Sequence, residues 1–102
     1  MILGRVIGTV WSTKKDENLV GAKFLIVRQL DLELKEKEAF TVAVDSVGAG
    51  EGEIVLVATG SSALQTNISK NKPIDAVVMA IVDKLDVPLK NYLQKEFEPT
   101  KN

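Results

Sequence analysis

Apolar residues along this chain fall in short β-branched runs of strand length, separated by polar or glycine-rich breaks. Residues 2–11 (ILGRVIGTVW) form the first run, interrupted by Gly4 and Gly8. Glycine inside a strand marks a bend, a bulge or a close backbone approach. A polar loop at 13–18 (TKKDEN) follows, and 20–30 (VGAKFLIVRQL) predicts a second strand, with Lys23 and Arg28 where it meets water. Residues 31–38 are charged and read as a solvated connection, with a turn of helix as the alternative. Residues 40–45 alternate: Phe40, Val42 and Val44 face one way, and Thr41, Ala43 and Asp45 the other. A fourth strand is predicted at 53–59 (EIVLVAT), stopped by Gly60, after which Ser61 or Ser62 can cap a short helix over about 63–68.

The next segment is ambiguous. In 74–85 (IDAVVMAIVDKL), residues Ile74, Val77, Val78, Ile81, Val82 and Leu85 fit a helical stripe. Its centre is nevertheless dense in valine and isoleucine, which suit a strand covered on both faces. Beyond Pro88, the residues Leu89, Tyr92, Leu93 and Phe97 share a helical face before a polar end. The division expected is a barrel domain over 1–87 and a tail over 88–102, partly helical and then disordered. About five strands with little helix suggest a small closed or partly closed barrel, which removes exposed edges.

Composition narrows the function classes. The chain has 102 residues, 45% hydrophobic and 26% charged, and its 13 basic and 14 acidic side chains leave a net charge of -1. No global field attracts nucleic acid or an anionic membrane. The absence of cysteine and histidine removes thiolate and imidazole ligands and the commonest general base. Arg5 interrupts the apolar start, which argues against a signal peptide, and no window approaches the ~20 apolar residues that span a bilayer. A cytoplasmic location is expected. The mean hydropathy of +0.07 suits a small domain that buries part of its surface against copies of itself.

Three glycines crowd the stretch VDSVGAGEGEIVLVATGSSA (44–63), at Gly48, Gly50 and Gly52. They do not make a phosphate cradle. The dinucleotide fingerprint needs glycine where Glu53 stands, no Gly-Lys-Ser/Thr follows, and a strand succeeds the loop where a helix N-terminus is required. The glycines read as a tight, positive-φ connection between strands. Ser61 and Ser62 lack a histidine partner, and the carboxylates Asp45, Asp75, Asp83 and Asp86 suit local backbone bonding or solvent. No active site, metal site or cofactor site emerges. Oligonucleotide binding, a standard use of a small barrel, is the alternative function. It requires a basic, aromatic groove, whereas aromatics are 5%, Lys and Glu interleave at 35–38, and Trp11 with Lys14, Lys15 and Arg5 is the one conceivable patch.

The runs ILGRVIGTVWST, GAKFLIVRQLD, VDSVGAGEGEIVLVATGSSA and KPIDAVVMAIVD, in this order over about 1–83, resemble the EutN/CcmL family, the vertex proteins of bacterial microcompartments and carboxysomes. The resemblance implies a five-stranded oligonucleotide-binding-like barrel with 74–85 mainly strand. It implies a non-enzymatic homo-pentamer that plugs five-fold vertices of a polyhedral shell in the cytoplasm. Its partners would be hexameric or pseudohexameric shell tiles, without nucleic acid or membrane. On that view Gly48, Ala49, Gly50 and Glu51 are expected near the axis or a subunit interface. Ser61, Ser62 and Asp75 are second candidates for subunit or shell contacts.

Overall fold

In the computed structural model, which describes residues 1–60, 63 and 74–88, five strands close on one another. They are β1 (Ile2–Val10), β2 (Phe24–Leu30), β3 (Glu36–Asp45), β4 (Ile54–Thr59) and β5 (Ala76–Ile81). The hydrogen-bonded order is β1-β2-β3-β5-β4, and β4 returns to β1 through Ile2↔Val57 to Arg5↔Ile54. Neighbours are antiparallel except β3 and β5, which run parallel at Val44↔Val77 and Asp45↔Val78. The barrel is thus of the small, oligonucleotide-binding-like kind.

Strand alternation sends one side chain in two to the axis. Val6, Leu25, Val27, Ala43, Val55, Val57, Ala76 and Val78 meet there, joined by Ala49 from the loop after β3. A five-stranded barrel is narrow, so stiff, compact valine fills it where larger side chains would not. A second cluster lies on the outer side of β3, β4 and β5, formed by Val44, Ala58, Ala63, Ile74 and Val77. Leu19, Ala22 and Phe24 pack against it.

These two clusters explain the ambiguous segment. Val78 points into the barrel and Val77 into the outer cluster, and both are 0% exposed. A strand covered on both faces has no polar side, so its apolar positions also satisfy a helical stripe. The cover over Val77 comes from the chain itself, and Met79 is the large apolar side chain of β5 that stays exposed.

Two boundaries differ most from expectation. β2 begins at Phe24 because a 3-10 turn at Glu17–Leu19 and Gly21, at φ +88°, hold Val20 to Ala22 out of the sheet. The charged run at 36–38 is strand, since β3 starts at Glu36 opposite Leu30. What precedes it is a tight turn in which Asp31 Oδ1 accepts the amides of Glu33 (2.8 Å) and Lys35 (3.0 Å). Within β3 the inward side chains are those of Thr41 and Ala43, whose partners are Val27 and Leu25, so Phe40 and Val42 face outward.

The two glycines of β1 serve different ends. A Cβ on Gly4 would lie 2.7 Å from the Arg28 carbonyl oxygen and collide with the Val27 side chain, so β1 and β2 approach closely there. Gly8 adjoins an irregularity in register between Val6 and Gly8. The expected helix over 63–68, apart from Ala63, and the expected helical tail after Pro88 lie outside the described residues.

Candidate assembly interface

The loop from Ser46 to Glu53 is folded onto the barrel by bonds to its own chain. Asp45 Oδ1 accepts the amides of Val47 (3.0 Å), Gly48 (3.1 Å) and Ala49 (3.2 Å). Glu53 Oε1 accepts the Gly50 amide at 2.6 Å, and the Gly52 amide donates to the Val6 carbonyl at 2.8 Å. The Ser46 hydroxyl donates to the Val78 carbonyl at 2.5 Å, fastening the start of the loop to β5. The amides that would cradle a phosphate are already taken, two sets of them by carboxylates of the same chain. Of the three glycines, Gly48 (φ +75°) and Gly52 (φ +91°) need the left-handed region, and Gly50 does not.

This geometry divides the candidate residues. Gly48, Gly50 and Glu51 are exposed on the loop, whereas Ala49 is 1% exposed and its methyl plugs the barrel. Asp75 is exposed beside β5, where its carbonyl accepts the Gly60 amide at 2.8 Å. It borders a shallow outer hollow of about 80 Å³ with Phe24, Val42, Val44, Ile74 and Ala76. The far end of the loop, at Gly52 and Glu53, and Asp75 flank opposite ends of β4, roughly 20 Å apart at ~3.3 Å per residue. At the near end Ser46 bonds to Val78, three residues from Asp75. The far end of the loop and Asp75 therefore belong to two separate places on the barrel. Ser61 and Ser62 lie outside the described residues.

Elsewhere the outer face is unusually apolar for a strand surface. Phe40 is 60% exposed, Val42 42%, Met79 41% and Trp11 88%. The residues weighed for nucleic-acid contact do not gather. Lys15 Nζ sits 5.7 Å from the centre of the Phe24 ring, while Arg5 donates to the Gly52 carbonyl at 3.2 Å near the other end of β1. Among the described residues no group of three or more Asp or Glu side chains could hold a metal ion, and no helix is long and apolar enough to cross a membrane. The sequence pattern marked Arg28 only as a point where the second strand meets water; it lies between Arg5 and Phe40 on this outer face.

A closed small barrel with its loop amides bonded internally and its apolar side chains turned outward defines a module that associates through its surface. The chain belongs to the EutN/CcmL family: the family model described as "Ethanolamine utilisation protein EutN/carboxysome" matches residues 1–83. The bacterial microcompartment shell vertex protein GrpN of Rhodospirillum rubrum (strain F11) is 50% identical over 86 residues, covering 84% of this chain and 97% of GrpN. The solved structure of GrpN, a pentameric microcompartment shell protein, superposes with a TM-score of 0.78 at 49% identity, covering 85% of this chain and 99% of that one. The structure of Gloeobacter violaceus CcmL gives a TM-score of 0.82 at 43% identity, with 86% and 91% of the two chains covered. The family is one of structural shell proteins, which favours the shell reading over an oligonucleotide-binding barrel.

Proposed function

We propose that this chain is a vertex protein of a bacterial microcompartment shell, acting as a homo-pentamer that closes the five-fold corners between hexameric or pseudohexameric tiles. The observation that carries the reading is the family match across residues 1–83, which takes in all five strands and the glycine loop. The task is geometric. A flat layer of six-fold tiles has no curvature, and five-fold units inserted into it supply the corners that seal the interior. In such a ring one face of each subunit meets a different face of the next, and the rotation closes after five.

Gly48, Gly50 and Glu51 are assigned to the axis or the ring interface, and the backbone at Ala49 goes with them. Two of these glycines leave the loop without bulk, which suits five copies converging on one axis. Asp75, with Ser61 and Ser62, is assigned to contacts with a neighbouring subunit or tile. No catalytic step is assigned to any residue.

Native mass spectrometry of the purified chain at two salt concentrations tests the reading. A discrete five-subunit species free of nucleic acid is expected at both. A monomer, or a complex carrying oligonucleotide that falls apart in salt, overturns it.

A further inference from the structure

We propose that the outer face of β1, β2 and β3 around Arg28 is a docking surface for a second copy of this chain, and that Arg28 receives a carboxylate of that copy. The inference rests on the ring reading above and adds the face and the side chain through which the ring closes.

The strand register places like charges side by side. Arg5 on β1 is directly opposite Arg28 on β2, and Arg28 is opposite Phe40 on β3. Like charges in facing positions destabilise a sheet unless an anion joins them. None does among the described residues, where the ion pair is Lys35 with Glu33, at 3.3 Å. Each guanidinium has one carbonyl instead. Arg5 donates to Gly52 and Arg28 Nη1 donates to Lys37 at 3.3 Å.

Arg28 Nε is buried and has no hydrogen-bond partner. A desolvated donor on a charged group is costly to leave unsatisfied. Strands on either side hold the stem of Arg28 in place, so its remaining donors form a preset fork of the shape that takes a carboxylate with two bonds. The chain has built one half of an ion pair.

The surroundings identify the other half. Gly8, Ile26 and Val42 form the next outward row, beside the exposed Phe40 ring. An apolar floor with a cationic rim fits a protein surface that brings aliphatic side chains and a carboxylate together. A phosphate backbone fits it poorly, because the exposed carboxylate of Glu38 lies two residues from Phe40 on β3. A second copy supplies what is missing. Met79 is an outward apolar side chain on β5, and Glu51, Asp83 and Asp86 are exposed carboxylates with no ion pair among the described residues. These lie on other strands and loops than the Arg28 face, as a head-to-tail ring requires of its two contact surfaces.

The test compares the wild-type chain with Arg28→Gln, Arg28→Lys and Phe40→Ser by native mass spectrometry through a dilution series, with circular dichroism as the check on folding. Arg28→Gln is expected to raise the concentration at which the ring dissociates by roughly 30-fold or more, the scale for truncating one partner of a buried charged pair. Arg28→Lys, which keeps the charge, should lose less, and Phe40→Ser should weaken the ring without unfolding the barrel. If the wild type forms pentamers and Arg28→Gln and Phe40→Ser dissociate as it does, the docking face is wrong and the ring reading stands. A monomeric wild type overturns both. Binding of an oligothymidylate to wild type, lost in Arg28→Gln, reassigns the face to nucleic acid. Should Arg28→Gln fail to fold, Arg28→Lys and Phe40→Ser decide the matter by the same readout.

Discussion

Asp45, the last residue of β3, holds its Oδ1 3.1 Å from the amide nitrogen of Gly48, and the same oxygen takes the amides of Val47 and Ala49. One carboxylate oxygen thus organises the turn that drops the Ala49 methyl into the barrel. Replacing Asp45 by alanine leaves three amides to find water in a loop that packs against the core. The expected loss is about 1–3 kcal/mol of stability, read as a lower urea midpoint. Asp45→Asn keeps an acceptor oxygen and should lose less. Equal midpoints for wild type and Asp45→Ala would show that the loop folds without this bond.

The glycines of the same loop should not respond alike. Gly48 at φ +75° and Gly52 at φ +91° occupy a region that costs a residue with a Cβ roughly 1–2 kcal/mol. Alanine at either position is expected to destabilise by about that amount. At Gly50 the backbone is not left-handed, and an added Cβ would meet the Glu53 carboxylate at an ordinary 3.6 Å. Gly50→Ala should unfold close to wild type. Matching thermal midpoints for all three variants would contradict this division. The order also separates stability from assembly: a Gly50→Ala chain that folds normally yet forms no ring locates an interface at this position.

Much of the barrel was legible because its strands carry the signals that sequence can hold. Residues 53–59 are β-branched and bounded by glycine, and β4 forms there with a boundary one residue inside. The glycine loop was read as a turn, and Asp45 as a residue that bonds local backbone, and the hydrogen bonds agree on both counts. β3 was harder. Its first half is charged, and nothing local says that Glu36 pairs with Leu30, since the Asp31 turn and the ladder to β2 impose that pairing from outside. The direction of the 40–45 alternation was equally hidden, because the more apolar set, Phe40, Val42 and Val44, is the one that faces outward. It is fixed by Leu25 and Val27, which stand opposite Ala43 and Thr41. Arg28 was visible only as a charge near water. Its significance depends on Arg5 from another strand, and no pattern along the chain brings the two together.

Of the two glycines in β1, Gly4 is the one with no room for a side chain. Its missing side chain lets β1 lie against β2 where a Cβ would be 2.7 Å from the Arg28 carbonyl oxygen. That oxygen belongs to the backbone and cannot swing aside, so Gly4→Ala must push two paired strands apart. The expected cost is at least the ~1–3 kcal/mol of an overpacked core, and larger for Gly4→Val. Gly8→Ala is the control, since its added methyl would meet the Ile26 side chain at 3.7 Å, an ordinary contact. Urea unfolding of the two alanine variants separates them. If Gly8→Ala proves the more damaging, close approach is not what glycine provides in β1.

The turn between β2 and β3 should respond to acid. Asp31 sits below the ordinary aspartate range, first because its carboxylate accepts the Lys35 amide and then because it accepts that of Glu33, with Lys35 and Lys37 adding positive charge nearby. Loss of some hydration in the turn pushes the other way and is outweighed. A carboxyl whose pKa is lowered by folding contributes stability that is present above its unfolded value and is lost as pH falls through the folded one. The turn should therefore be intact at neutral and mildly acidic pH and loosen only once the pH drops below the usual aspartate range. The amide resonances of Glu33 and Lys35, followed by NMR through an acid titration, report this directly. Both should shift together with a midpoint below that of an unstructured aspartate. In Asp31→Asn the shared transition should vanish while the barrel signals of Val27 and Ala43 persist. A midpoint at or above the unstructured value would mean that these two amides do not hold the carboxylate in its charged form.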